Sequence, residues 1–137
     1  MVSLFASPMV HARRLFSRRL NRVSPFVKGN ELAEARRLNR AGYHAAAVVL
    51  ARIAVEKRFR AMARSNPKWR GKASTLDCTI RFCYLKGEIS QCCYILARNF
   101  KKQANNVVHG NPIDRARAWL LIRRAASILS MVEGGAA

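Results

Sequence analysis

Apolar residues recur along this chain at steps of three and four, and no stretch alternates apolar and polar residues long enough to suggest a strand. The clearest run extends from Tyr43 to about Ala63, where Ala46, Val49, Leu50, Ile53, Ala54, Phe59 and Met62 follow a helical period. A shorter helix is predicted before it, from Glu31 to Arg40, with Asn30 as a candidate cap, two glutamates in the first turn and a break at Gly42. Ser65-Asn66-Pro67 closes the long run, and Lys68 to Lys72 reads as a basic loop. A third helix is expected from Ser74 or Thr75 to Tyr84, with a break at Gly87. A fourth is expected from about Ile89 to Val108, stopped by Gly110-Asn111-Pro112. The fifth runs from about Ile113 to Val132, before Gly134-Gly135. These elements predict an all-α fold, an antiparallel bundle of four to five helices over residues 31–133. A basic arm at 1–30 precedes it and a short tail at 134–137 follows.

Composition supports a packed body, since half of the 137 residues are apolar. Nothing in the chain approaches the apolar length of a transmembrane helix. Charge changes the picture more. The net charge is +19, of which residues 1–30 carry +6 and the remainder +13, so the excess is not confined to one end. A compact body of one sign repels itself, and a polyanion relieves that repulsion while releasing its own counterions. The charge therefore points to nucleic acid ahead of an anionic membrane surface. The arm contributes Arg13, Arg14, Arg18, Arg19 and Arg22, interleaved with Leu15, Phe16, Leu20 and Val23 and free of acids. That pattern suits a phosphate-binding arm, an organellar targeting segment or a membrane-surface helix, and the continuing charge favours the first, in a cytoplasmic setting. In the body, Lys68, Arg70, Lys72, Arg98 and Lys102 are candidate phosphate contacts, and Trp69 is a candidate platform for an unpaired base.

Cys78, Cys83, Cys92 and Cys93 contain no CxxC pair, and adjacent Cys92 and Cys93 do not easily serve one tetrahedral site, so neither zinc nor any other cofactor is expected. Among Ile80, Phe82, Tyr84 and Ile95 these thiols read as core residues.

Five polar residues form a candidate assembly. Arg52 and Glu56 are four apart on the long helix and can pair. Lys101, Asn105 and His109 are also spaced by four, which places a cation, an amide and an imidazole on one face. Such a stripe can hold a phosphate and move a proton, with the imidazole as acid or base. Alternatively, His109 caps a helix that stops at Gly110.

The segment Arg52-Ile-Ala-Val-Glu56, followed by Phe100-Lys-Lys-Gln-Ala-Asn-Asn-Val-Val-His109-Gly110, resembles the HEPN superfamily, in particular its uncharacterised prokaryotic branch. The resemblance covers about residues 36–131 and implies a helical bundle, RNA as ligand and a homodimer whose polar stripes share one cleft, with Ala45-Ala46-Ala47 available for close contact. Two positions depart from the pattern: Lys101 stands where arginine is usual and Ala104 where glycine is usual. The ribonuclease version of the motif is also imperfect, because His109 lies too far beyond Arg98-Asn99, and Lys102, at the right spacing, is not arginine. The expected function is RNA binding without catalysis. One alternative is a metal-independent endoribonuclease that uses His109 with Lys101 and Asn105. The other is a scaffold for an acidic protein partner.

Overall fold

The computed structural model describes residues 30–71 and 75–134. Residues 31–134 form five helices: α1 (Glu31–Arg40), α2 (His44–Ser65), α3 (Leu76–Leu85), α4 (Gln91–Val108) and α5 (Arg115–Gly134). No strand occurs among the described residues. Residues 1–29 of the basic arm and Lys72 lie outside them.

Local chemistry sets the helix ends. Three helices close on a glycine with positive φ, and two of these show why the sequence stops there. At the end of α1, Gly42 (φ 92°) lets the Tyr43 amide reach the Leu38 carbonyl at 2.9 Å, while its own amide bonds Asn39. At the end of α4, Gly110 (φ 94°) lets the Asn111 amide reach the Asn106 carbonyl at 3.0 Å. The starts of α4 and α5 fall two residues later than periodicity predicts, because the residue before each is a cap. Ser90 Oγ accepts from the Cys93 amide at 3.1 Å, and Asp114 Oδ1 accepts from the Arg117 amide at 2.8 Å. Thr75 does the same for α3, accepting from the Cys78 amide.

Helix α2 packs against each of the other four. Its buried positions, Ala47, Val48, Leu50, Ala51, Ala54, Val55, Phe59 and Ala63, therefore wrap much of its circumference, and four of the eight are alanines that admit close neighbours. The outward row is Ala45, Val49, Ile53, Lys57 and Ala61, at four-residue steps. Ile53 is consequently exposed, although its spacing reads as core. The Ala45-Ala46-Ala47 run is likewise divided: Ala47 is in the core, Ala46 is half-buried and only Ala45 faces outward. Phe59 on α2 and Phe100 on α4 are fully buried, with Ile80, Ile122 and Ile128 from α3 and α5.

The cysteines divide into two pairs. Cys83 and Cys93 are core residues, as their apolar surroundings predict, but Cys78 and Cys92 are exposed. The reason is periodicity: each exposed thiol falls on the outward face of its helix. Burial, with Glu88 nearby, pushes the Cys83 thiol up to about 12, and burial also raises Cys93.

Two buried polar side chains tie α1 into the body. Glu31 is buried, and its carboxylate accepts from Lys57 Nζ at 2.7 Å, which holds its pKa below the ordinary value. At the other end of α1, buried Asn39 accepts from His44 Nδ1 at 2.6 Å and donates through Nδ2 to the Arg115 carbonyl at 3.2 Å. One amide side chain thus joins α1, α2 and α5. No helix among the described residues is long and apolar enough to cross a membrane.

Candidate nucleic-acid interface

Because α2 and α4 are in contact, the candidate polar residues on them can meet. Arg52 donates from Nη1 to Glu56 Oε2 at 3.1 Å and from Nε to Asn105 Oδ1 at 3.2 Å. Arg60, one turn beyond, closes on the other oxygen of Glu56 at 2.6 Å. Arg52, Glu56 and Asn105 therefore form one half-buried network across the α2–α4 contact, with Glu56 shared between two guanidinium groups.

Lys101 does not join that network. Its ammonium lies 3.4 Å from Asp77 on α3, and Arg98 approaches the same carboxylate at 3.8 Å. Arg98 also donates to the Tyr94 hydroxyl at 3.3 Å and sits 5.5 Å from that ring's centroid, while Tyr94 stacks on Tyr84 at 4.2 Å. Asp77 is a residue that motif reading passed over, and it neutralises much of the charge expected of the stripe.

His109 is exposed at the C-cap of α4. The cap is made by its main chain, whose amide bonds the Asn105 and Val107 carbonyls, and among the described residues nothing hydrogen-bonds its ring. A general base works best when a second group orients its imidazole, and the three residues of the stripe do not converge on one point here.

The loop after α2 carries exposed Lys68 and Arg70, the latter donating to the Pro67 carbonyl at 2.8 Å. Trp69 between them is turned inward, edge-on to Phe82 of α3 with centroids 4.7 Å apart. Its ring packs against the body and is not a free platform. Lys102 is exposed on α4. Arg13, Arg14, Arg18, Arg19, Arg22 and Lys72 lie outside the described residues.

The other tryptophan, Trp119, is on the surface. It is 49 % exposed on α5, with the Arg123 guanidinium 4.8 Å from its ring centroid. Arg36 and Arg40 of α1 and Arg115 of α5 border the same region. The signal was present in the sequence as three four-residue steps, Arg36–Arg40, Arg115–Trp119 and Trp119–Arg123, on the first and last predicted helices. Among the described residues no cluster of histidine, cysteine and carboxylate side chains is arranged to hold a metal ion. A scan against protein-family models, a search of curated proteins and a search of solved structures each find no match for this chain.

Proposed function

We propose that this chain is a non-catalytic nucleic-acid-binding domain of HEPN type whose ligand is RNA. The observation that carries the reading is the distribution of charge over the helical body. All seven side-chain carboxylates of the protein lie among the described residues. Glu31, Glu34, Glu56 and Asp77 are each engaged by lysine or arginine, and yet residues 31–137 retain +13. A surface meant only for solubility would mix its signs. Exposed arginines in such excess supply the counterion-releasing contacts that dominate affinity for a phosphate backbone.

The geometry of the stripe supports the non-catalytic part of the proposal. Lys101 is held by Asp77, Asn105 is held by Arg52, and His109 has no orienting partner. The choice of RNA rests on the two motifs that resemble the HEPN pattern, and the pairing of two copies belongs to the same proposal.

Fluorescence anisotropy of a labelled mixed-sequence RNA, followed across salt concentrations, tests this. Affinity is expected to fall with a log–log slope of about −3 to −4, as for roughly five phosphates neutralised on a single strand. Deleting residues 1–28 weakens binding but does not abolish it, since most of the charge lies beyond the cut. Absence of binding at low salt, or binding indifferent to salt, refutes the reading. RNA turnover that disappears in His109→Ala refutes its non-catalytic part.

A further inference from the structure

The groove between α1 and α5 lies apart from the polar stripe, and no motif reading assigned it a role. Arg36, Asn39 and Arg40 on one side and Arg115, Ala116, Trp119 and Ile122 on the other line an open cavity of about 730 Å³. Its floor is fixed, because Asn39 is buried and hydrogen-bonded to the Arg115 carbonyl and to His44. Its rim is cationic and uncompensated. Arg36, Arg40 and Arg115 are exposed, and none forms an ion pair among the described residues, which include every side-chain carboxylate of the chain. Glu34, the nearest acid along α1, is held by Arg37 at 2.6 Å.

Two features decide what such a groove accepts. Residues four apart on a helix are about 6 Å apart along its axis, so Arg36–Arg40 and Arg115–Trp119 each present two contact groups at neighbouring heights. Trp119 supplies the second feature, a large π surface that is half open to solvent, with Arg123 over one face and Arg36, Arg40 and Arg115 lining the same groove. Arginine along a backbone with an aromatic ring for a base face is the chemistry of single-strand recognition. In a duplex the base faces are covered by their neighbours. An acidic peptide would satisfy the arginines but leave the ring without a planar partner.

We propose that this groove docks single-stranded RNA, with one unpaired base stacked on Trp119 and adjacent phosphates held by Arg36, Arg40 and Arg115. The inference rests on the nucleic-acid reading above and gives it a location and a strand preference.

The test uses the full chain in a Trp69→Phe background, so that Trp119 is the sole tryptophan reporter. A short mixed-sequence single-stranded RNA, the matching single-stranded DNA and a duplex RNA are titrated by tryptophan fluorescence and, with labelled strands, by anisotropy. Single-stranded RNA should quench Trp119. Trp119→Leu should lower its affinity about tenfold, as expected for loss of one stacked base, with much less effect on the duplex. The triple change R36Q/R40Q/R115Q should weaken binding more than the charge-matched R58Q/R64Q/R81Q, which alters exposed arginines outside the groove. If RNA binds but Trp119 is not quenched and Trp119→Leu binds like the parent, the groove assignment is overturned and the general charge reading stands. If the parent binds no nucleic acid at low salt, both fail. Equal or tighter binding of the single-stranded DNA or the duplex overturns the ligand assignment, as does an acidic peptide that binds more tightly than RNA.

Discussion

Asn39 makes a demanding test of how the body is held together. Asn39→Ala removes the 2.6 Å hydrogen bond from His44 Nδ1 and the 3.2 Å bond to the Arg115 carbonyl at a position only 3 % exposed. Each neutral hydrogen bond contributes about 1 kcal/mol net. His44 is half-buried and Arg115 exposed, so water can partly replace the lost partners and the full desolvation penalty does not apply. The expected loss is about 2 kcal/mol, most of it from the two bonds. For a helical body of about 100 residues, each kcal/mol moves the melting temperature by about 4–8 °C, so Asn39→Ala should melt about 10 °C lower. A double-mutant cycle with His44→Ala isolates the pair, because that change removes one of the two bonds and leaves the other. The double variant should be less destabilised than the sum of the singles by about 1 kcal/mol. Thermal melting and urea denaturation, both followed by circular dichroism at 222 nm, provide the measurement. A shift below about 3 °C, or additivity within about 0.5 kcal/mol, would show that Asn39 does not couple the helices.

Three further outcomes are expected. Lys57→Met strands the buried Glu31 carboxylate and should cost about 1–3 kcal/mol; because the Glu31 pKa is depressed in the folded protein, its contribution is present above the ordinary carboxylate range and lost as pH falls through the lowered value, so the parent should lose its advantage over the variant on acidification, and an advantage that grows in acid would refute this sign. His109→Ala should leave stability within about 0.5 kcal/mol and RNA affinity nearly unchanged, since the helix end is capped by main chain; a larger loss on thermal melting would give the ring a structural role. A thiol reagent at pH 8 should modify Cys78 and Cys92 rapidly and Cys83 and Cys93 only on unfolding, and rapid titration of a third thiol in the native protein would contradict the burial of the inner pair.

Helix boundaries were the most legible part of the fold, because the chemistry that sets them is local. Gly42 and Gly110 end helices through their own backbone freedom, whereas periodicity alone placed two helix starts two residues early, before the caps Ser90 and Asp114. What depended on distant neighbours was not legible. Asn39 looks like a surface residue in a run of arginines, yet one of its partners is 76 positions away. Ile53 and Cys92 fit an apolar period but face outward, since the period does not say which side of a helix its neighbours occupy. The same applies to the candidate site. The spacing of Arg52, Glu56 and Asn105 anticipated a real meeting across α2 and α4, whereas Asp77, on a third helix, redirected Lys101. Both tryptophans have basic neighbours in sequence, and only the presence of Phe82 beneath Trp69 and its absence beneath Trp119 separates a packed ring from an open one.

The contact between α1 and α5 brings together the first and last helices of the body, and this has a consequence for when the molecule can act. Arg36 and Arg40 lie on α1, and without α5 they border no groove. Only the arrival of α5 supplies Arg115 and Trp119 and completes the groove. A ligand docked there as proposed would bind the closed body and not the open chain, so each tenfold excess over its dissociation constant would add about 1.4 kcal/mol to the closed state. Occupancy would then act as a clasp on the two ends, most valuable for a body whose own charge pushes it apart.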